Sequence, residues 1–518
     1  TIAKNVAERS TCSRRKFGAV LIKNDSIISC YDDKTEVLTD NGWLFFKDLK
    51  KNEKIATLNS QTNELEYQYP TEYIIQDYIG KMYNIHTKQL DFCVTDGHFM
   101  YVSKAYMKNK KRFFREFERI KASDVFGKRV KYKRDCIWKG ENKDFFILPE
   151  YVAKIKNQWK HPSVNIPMDL WLEFLGYYLA EGTVVCSGRL SRITIHTDWK
   201  DRFREDMFLC CKKIATILGR SCNSDKRGRI NIDDERLYHY LLPLGKALTK
   251  FIPREYFSLS KEQLNILLKS LVNGDGADRK YGSIYFSSSE RLIDNVSELA
   301  FKCGYCGTKS FRIAPPSTLK DGRIISSKNK NWMFGFTNNR PTPDVYKDMS
   351  WDNTKNIECW IDYEGKVYCV TVPNHIIYVR RNGRAVWCGN TGYNGSARGT
   401  LNCGEDVPCL KDITGELPLV SYDTCPAVHA EQNCIIQSDP DRRIGATMFL
   451  ASSNSASGDR PCHLCRRYII QSGIGDIYFI DKNEKIQHEV VSQWIEAEDK
   501  WMLNIQKLHT GRDRPLTL

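Results

Sequence analysis

The sequence predicts a multidomain chain in which a long basic segment interrupts one of the domains. The chain has 518 residues, and at roughly 150 residues per domain this length suggests three or four domains. The formal net charge is +15, yet residues 1–29 and 391–518 together carry 19 basic and 19 acidic side chains. The whole excess therefore lies in residues 30–390, and the borders of that segment fall inside one strand pattern. These observations indicate two proteins with different partners in one chain.

The composition is that of a folded protein, with 41% hydrophobic and 12% aromatic residues and a mean hydropathy of −0.49. No run of about 18 apolar residues occurs, and charged residues interrupt the N-terminal region. We therefore expect no membrane-spanning helix, no secretory signal and a cytoplasmic location (the host cell's, for a viral protein). The odd number of 19 cysteines favours reduced thiols, metal ligands or catalytic cysteines over a disulfide framework. The basic charge points first to a nucleic-acid partner.

The strand pattern is broken at Cys30. Phe17–Ile22 has the apolar run of a buried strand, and Ser26–Ser29 begins another that stops where charged residues follow. Thr391–Gly395 resembles a strand end entering a turn, and joining Ser29 to Thr391 restores the continuous segment SIISTGYNG. A domain does not normally tolerate 361 extra residues within a strand. The alternative is one multidomain protein with a permanently fused basic domain.

The C-terminal flank carries a metal-ligand pattern. His429-Ala430-Glu431 is followed by Pro461-Cys462-His463-Leu464-Cys465, the signature of zinc-dependent nucleobase deaminases. One imidazole and two thiolates leave the fourth position of a tetrahedral zinc open for water, whose pKa the metal lowers. Glu431 is too close to His429 to ligate comfortably and can instead move protons. A structural zinc or a redox C-x-x-C pair is the alternative.

The joined flanks resemble deoxycytidylate (dCMP) deaminases over nearly their whole length. The matching pieces are Arg9–Cys12, Phe17–Val20, ISTGYNG, Asn402–Gly404, HAE and PCHLC. The resemblance implies an α/β fold with a central mixed sheet and flanking helices, a homo-oligomer, and conversion of dCMP to dUMP. Asn394 would contact the deoxyribose, and the basic segment from Ser13 to Lys16 would contact the phosphate. Ala397 departs from the proline common in that family, which leaves the loop and its regulation open.

Four further cysteines could form a second, structural zinc site, as in some relatives of that family. They are Cys12, Cys403, Cys409 and Cys425. Ordinary buried thiols are the alternative.

Four blocks of residues 30–390 resemble an intein. They are Cys30 with the alternating segment Thr35–Gly42, then Thr95–His98, Val367–His375 and Val386–Asn390 followed by Thr391. The resemblance implies an all-β (Hint-type) splicing domain, which we place at 30–135 and 335–390. Ordinary strand composition is the alternative, but it does not predict cysteine at one border and Asn-Thr at the other.

The residue types suit peptide rearrangement. The Cys30 thiol can attack the Ser29 carbonyl to give a thioester, with Thr95 and His98 polarising that peptide and protonating its nitrogen. The Thr391 hydroxyl then attacks the thioester, and Asn390 cyclises to release the segment.

Two positions depart from the usual pattern of inteins. Gly389 replaces the usual penultimate histidine, so assistance to Asn390 must come from elsewhere, and His375 is the natural candidate. Cys369 stands where many inteins have aspartate, which we interpret as a variant.

Within the segment, Leu172–Gly182 and Ile266–Gly276 repeat an apolar helix that ends in an acidic residue and glycine. They resemble the two motifs of LAGLIDADG homing endonucleases, which implies an α+β domain, placed at 150–320, that binds double-stranded DNA. Small residues would let the helices pack closely and bring Glu181 and Asp275 together as Mg²⁺ ligands. A plain helical core is the alternative, as is an endonuclease that no longer cuts.

Basic clusters fit DNA binding, since lysine and arginine contacts to phosphates supply much of the affinity. They lie at Lys108–Arg115, Lys128–Arg134 and Lys320–Lys330. A solvated charged face is the alternative. The sequence therefore predicts a self-splicing precursor of a dCMP deaminase. Its rival is an unspliced, basic, nucleic-acid-binding deaminase acting on cytosine or adenine in polynucleotides.

Overall fold

A computed structural model describes most of the chain between Phe17 and Lys500. The described residues are 17–22, 30–152, 160–187, 190–313, 317–318, 324–325, 330–339, 341–346, 349, 357–389, 429–437, 443–452, 458–497 and 500. They form two compact units: one combines the described residues of both chain ends with Thr71–Ile74, and the other contains Tyr31–Pro70 and Ile75–Gly389. The chain is thus multidomain, mostly sheet with some helices, as the sequence predicts. Among the described residues, no helix is long and apolar enough to cross a membrane.

The first unit, here called the end unit, is built on a four-stranded mixed sheet. Its strands, in spatial order, are Phe17–Ile22, Thr447–Ser452, Asp476–Ile480 and Ile486–Val490. The first pair is antiparallel, with Phe17 opposite Ser452, and the second pair is parallel. The sheet therefore joins a strand from before residue 30 to strands from after residue 390.

Helices pack on that sheet because their apolar faces need cover. The helices are Ala430–Gln437 and His463–Gln471, with a further helical run over residues 491–497. Their apolar residues share one buried core with the inward-facing strand residues, including Ile435, Met448, Leu450, Ile469 and Ile477.

The second unit, here called the middle unit, contains a β-rich part formed from both of its ends. A two-residue Asn382-Gly383 turn joins its last two strands, and both turn residues have positive φ (47° and 76°), as a type I′ hairpin requires. Its only helices among the described residues are the short Ala122–Val125 and the 3₁₀ turn Phe46–Asp48. Its strands are Thr35–Thr39, Gly42–Phe45, Ile55–Leu58, Leu65–Gln68, Glu72–His86, Asp91–Thr95, Phe99–Lys108, Lys111–Phe114, Glu118–Lys121, Val130–Tyr132, Asp344–Val345, Glu358–Thr371, Ile376–Arg381 and Arg384–Gly389.

The rest of the middle unit is an α+β part built around two helices, Met168–Glu181 and Lys261–Asp275, here called the central helices. Ser260 caps the second one by accepting a hydrogen bond from the Gln263 N–H. Each central helix runs directly into a β-hairpin, and each is followed further on by another helix, Arg204–Ile217 or Glu290–Lys302. The two halves thus repeat one arrangement.

The remaining elements of the α+β part are strands and short helices. The first-half sheet contains Gly182–Ser187, Leu190–Ile195, Ile230–Asp233 and Cys222–Ser224, and the second-half strands are Gly276–Arg279, Gly282–Ser287, Lys330–Thr337 and Cys306–Ile313. The others are helix Glu235–Leu241, the 3₁₀ turns Leu242–Leu244 and Arg254–Ser258, and the strands Phe145–Leu148, Tyr151–Val152, Lys160–His161, Val164–Pro167, Ser317–Thr318 and Ile324–Ile325. The second-half sheet continues to Thr337, beyond residue 320, where the sequence places the end of this domain.

Helix Glu290–Lys302 connects the two parts of the middle unit through buried charges. Its Asp294 accepts a hydrogen bond from Arg380 at 2.7 Å, and Arg380 also binds Glu36 at 2.6 Å. Its Glu298 is fully buried between Arg254 and Lys302, at 2.5 and 3.1 Å. Buried charges are tolerated only when paired, so this helix is fixed against the β-rich part.

Candidate functional sites

Three groups of side chains carry the chemistry that the sequence predicts. The first is in the end unit, where His429, Cys462 and Cys465 bring their ligand atoms within 4.8 Å of one another. Nδ1 of His429 lies 3.3 Å from Sγ of Cys465 and 3.6 Å from Sγ of Cys462. Two helix starts hold these atoms: His429 precedes helix Ala430–Gln437, and Cys462 is the N-cap of helix His463–Gln471, accepting the Cys465 N–H at 3.4 Å.

This donor set suits a soft divalent metal. One imidazole nitrogen and two sulfurs are three of the ligands that tetrahedral zinc prefers, leaving one position for water. The hydrogen bond from Cys465 lowers the pKa of the Cys462 thiol to about 4, while that contact and burial raise the pKa of Cys465. The described residues contain a possible metal site here.

Glu431 lies in the first turn after His429 and is only 5% exposed. Burial raises the pKa of its carboxyl group above the ordinary value. A buried carboxyl group with a raised pKa is suited to accept and donate protons during a reaction.

The second group belongs to the predicted splicing machinery. Cys30, Thr95 and His98 are all fully buried. Burial raises the pKa of the Cys30 thiol to about 12 and lowers that of His98 to about 3. Both side chains are therefore neutral at physiological pH. The thiol can act as a nucleophile only if its proton is removed during the reaction.

His375 lies in a turn, with a positive φ of 57°, and its N–H donates to Val372 O. The next residue, Ile376, is directly opposite Gly389 in the hairpin. The hairpin therefore brings His375 close to Gly389. Cys369 is buried in strand Glu358–Thr371, and its thiol lies 3.5 Å from the Val370 carbonyl oxygen.

Sequence reasoning missed two side chains in this group. Sγ of Cys388 lies 3.4 Å from Nε2 of His98, and the Tyr31 ring meets the His98 ring edge-on at 4.4 Å between centroids. Only their positions in the sequence could have indicated these two residues: Tyr31 follows Cys30, and Cys388 is two residues before Asn390.

The same reasoning also missed a charged clamp near Cys30. Arg381 binds Asp32 at 2.9 Å and forms a shorter ion pair with Asp91, the first residue of the strand that ends at Thr95. Asp91 also accepts a hydrogen bond from Asn382 at 3.0 Å. The clamp ties the segment after Cys30 to strands Asp91–Thr95 and Ile376–Arg381.

The third group lies where the central helices end. The helices pack closely because a Cβ at Gly176 would collide with Ser270 Oγ, and one at Gly274 would collide with Ala180 Cβ. This close approach brings the Glu181 and Asp275 side chains into hydrogen-bonding contact. Burial raises the pKa of both carboxyl groups, and Asp275 further raises that of Glu181.

Lys250 is a further cation at this site that sequence reasoning missed. Its ammonium group donates to the carbonyl oxygens of Tyr178 and Leu179 at 2.9 and 3.0 Å, at the C-terminal end of the first central helix. Burial lowers the pKa of Lys250 to about 8, against the attraction of Asp275 and Glu181. Two converging carboxylates with hard oxygen donors suit Mg²⁺.

The basic clusters are partly described. In the hairpin Phe99–Lys108 and Lys111–Phe114, the side chains of Lys108, Lys110 and Arg112 are exposed to solvent. Several predicted residues lie outside the described residues, as does most of Lys320–Lys330. They are Cys12, Ser13, Lys16, Asn390, Thr391, Asn394, Cys403, Cys409 and Cys425.

No family model matches the chain. Two of the curated relatives have unrelated names and match most of it. The ATP-dependent Clp protease proteolytic subunit of Chlamydomonas moewusii is 27% identical over 474 residues, covering 71% of this chain and 46% of the relative. The C-terminal section of the DNA-directed RNA polymerase subunit beta of Stigeoclonium helveticum is 28% identical over 413 residues, covering 72% and 37%. The chain spans less than half the length of these relatives.

Two structural likenesses are weak. A variant of the homing endonuclease I-DmoI matches 34% of this chain and 85% of its own, with 10% identity and a TM-score of 0.25. An AceL NrdHF class 3 split intein matches 40% of this chain and 97% of its own, with 10% identity and a TM-score of 0.15.

A third relative is a shorter protein, and its name is that of the enzyme family indicated by the motif of His429, Cys462 and Cys465. The deoxycytidylate deaminase of Mycobacterium phage D29 is 34% identical over 94 residues, covering 17% of this chain and 66% of the relative. Part of the chain is therefore homologous to deoxycytidylate deaminases.

Proposed function

We propose that the chain is the precursor of a zinc-dependent dCMP deaminase, interrupted by a self-splicing intein, residues 30–390, that carries a DNA endonuclease. The observation that carries this proposal is the sheet of the end unit. Its Phe17–Ile22 strand pairs along its full length with Thr447–Ser452, although 424 residues separate Ile22 from Thr447. Chain ends that share one sheet, while nearly all of the residues between them belong to a separate unit, suit a removable insert.

The relatives support the same division. A protease subunit and a polymerase subunit have no common host function, yet each matches 71–72% of this chain. Residues 30–390 are 361 of the 518 residues, close to that share. A mobile segment that resides in unrelated hosts accounts for both likenesses.

The deaminase reaction follows from the first site. A zinc ion held by His429, Cys462 and Cys465 would supply the Lewis acidity that lowers the pKa of a water molecule. Glu431 would take one proton from that water and pass it to the ring nitrogen, and would then take the second proton from the hydroxyl left on the ring and pass it to the departing amino group. Water thereby replaces the amino group of dCMP, giving dUMP and ammonia.

Splicing follows from the second site. The Cys30 sulfur attacks the Ser29 carbonyl carbon, and the Ser29–Cys30 C–N bond breaks as the nitrogen gains a proton. Neutral His98 and Thr95 are suited to hydrogen-bond this peptide without an ionic interaction. The Thr391 oxygen then takes over the acyl group, Asn390 cyclises, and the ester rearranges to an ordinary Ser29–Thr391 peptide bond.

The intact mass of the expressed protein tests this proposal. Splicing converts the 60.0 kDa chain into products of roughly 42 and 18 kDa, in proportion to 361 and 157 residues. The Cys30→Ala, Asn390→Ala double variant should remain at 60.0 kDa. A wild-type chain that stays whole would favour the permanently fused deaminase acting on polynucleotides.

The endonuclease activity rests on the third site. Glu181 and Asp275 would hold Mg²⁺, which stabilises negative charge at the phosphate being cleaved, and the basic strands would contact the DNA backbone. The test is cleavage of DNA that encodes the joined flanks. We expect Asp275→Asn to abolish cutting, whereas Asp278→Asn, three residues further on and exposed, should leave it intact. Equal cutting by both variants would exclude the carboxylate pair.

A further inference from the structure

Tyr31 is buried in the middle unit, where it is 1% exposed. Its backbone exchanges two hydrogen bonds with Tyr368, at 2.8 and 2.9 Å. Its ring stacks on Phe46 at 5.1 Å between centroids and meets the edge of His98 at 4.4 Å. A side chain held rigidly by these contacts also restricts the position of a group to which it hydrogen-bonds.

The Tyr31 hydroxyl binds the opposite end of the segment. It donates a hydrogen bond to the carbonyl oxygen of Gly389 at 3.2 Å, across 358 residues of sequence. Tyr31 directly follows Cys30, and Gly389 directly precedes Asn390. One buried side chain therefore connects the residues that flank the two proposed reacting groups.

Position 389 has no room for the histidine that inteins usually carry there. A Cβ at Gly389 would lie 2.6 Å from the carbonyl oxygen of Phe99 and 3.0 Å from its Cβ. A Cβ atom essentially never lies within 3.0 Å of a heavy atom outside its own residue and that residue's two chain neighbours. With no side chain at position 389, the hydrogen bond from Tyr31 reaches the backbone of that residue instead.

We propose that Tyr31 is a positioning residue for cleavage at the C-terminal border, an inference that rests on the proposed splicing. In that step Nδ2 of Asn390 attacks the carbonyl carbon of the same residue. A ring C–N bond forms, the Asn390–Thr391 C–N bond breaks, and the proton lost from Nδ2 passes to the Thr391 nitrogen.

The hydrogen bond acts through peptide geometry. The Gly389–Asn390 peptide is planar, so fixing the Gly389 carbonyl also fixes the direction in which the chain enters Asn390. Fewer backbone torsions then remain to be ordered before ring closure. Less conformational entropy is lost on reaching the transition state, so the rate is higher. The hydroxyl touches no reacting atom, so its removal should slow the step without preventing it.

The test compares Tyr31→Phe with wild type in the full chain. Hydroxylamine, which cleaves thioesters and esters but not peptides, reports the first steps, and release of residues 30–390 reports the last. We expect Tyr31→Phe to accumulate the ester intermediate and to release the segment about fivefold more slowly, as loss of about 1 kcal/mol of hydrogen bonding predicts.

Tyr378→Phe is the matched control. It also removes a buried hydroxyl that donates to a backbone carbonyl at 3.2 Å, here Arg134 O, so it should behave as wild type. The proposal is overturned if Tyr31→Phe releases the segment at the wild-type rate, or if it fails to form the ester, since that would indicate a general structural role. A wild-type chain that neither forms the ester nor releases the segment would instead overturn the splicing reaction itself, and this inference with it.

Discussion

Gly389 lies against the backbone of Phe99, so closely that any side chain at position 389 would displace one of the two strands that carry them. The pair is part of the contact between strands Arg384–Gly389 and Phe99–Lys108, in which Cys388 is opposite Met100. The packing of these two strands thus leaves no space for a histidine at position 389.

We therefore expect Gly389→His to slow cleavage at the C-terminal border, although it restores the residue that inteins usually have. The imidazole would force the strands apart and disturb the hydrogen bond from Tyr31. Release of residues 30–390, followed on gels over time, measures the effect. Gly335→Ala is the control, because nothing lies within 4 Å of a Cβ at that strand position. Faster release by Gly389→His would contradict the steric account.

The charged pairs of helix Glu290–Lys302 predict a large loss of stability when one partner is removed. Glu298→Gln would leave Arg254 and Lys302 with an uncompensated buried charge, at a cost of about 3–5 kcal/mol. Chemical denaturation of the Cys30→Ala, Asn390→Ala chain measures this. Asp362→Asn removes an ion pair whose side chains are 63% and 87% exposed, and should cost at most about 1 kcal/mol. If Glu298→Gln and Asp362→Asn lost similar free energies of unfolding, the buried ion pairs would stabilise the protein no more than an exposed pair does.

Burial of neutral His98 predicts a stability that depends on pH. Its folded pKa is about 3, below the ordinary value of 6.5, so the unfolded chain binds this proton more readily than the folded chain. The contribution of neutral His98 is fully present above pH 6.5 and is lost as the pH falls from 6.5 towards 3. Compared with His98→Gln in the same non-splicing background, the histidine-containing chain should lose more stability over this range. Parallel pH profiles would contradict the prediction.

The metal site predicts a defined stoichiometry. Elemental analysis of the spliced deaminase should find one zinc per chain, and a strong chelator should remove it together with the activity. Cys462→Ala should lose the metal, whereas Cys434→Ala, a cysteine outside the three-residue group, should retain it. Two zinc ions per chain would support the second site that the sequence leaves open at Cys12, Cys403, Cys409 and Cys425. Retention of zinc by Cys462→Ala would exclude the assigned ligands.

The sequence predicts those parts of the sites that depend on local spacing. The helix starts at Ala430 and His463 orient His429 and Cys462, and the small residues of the central helices determine how closely Glu181 and Asp275 approach. The roles of Tyr31 and Cys388 depend instead on contacts with residues 358 and 290 positions away. No local pattern encodes such contacts, since strand pairing alone brings these residues together. The extension of the second-half sheet to Thr337 escaped prediction for the same reason.

The most direct test of the account is a tryptic peptide map of the expressed protein. Splicing predicts the peptide NDSIISTGYNGSAR, in which Ser29 is bonded to Thr391, because trypsin cuts after Lys23 and Arg398. Tandem mass spectrometry can read the new bond directly. A map that contains only NDSIISCYDDK and AVWCGNTGYNGSAR, the peptides that cross the two intact borders, would contradict the central claim.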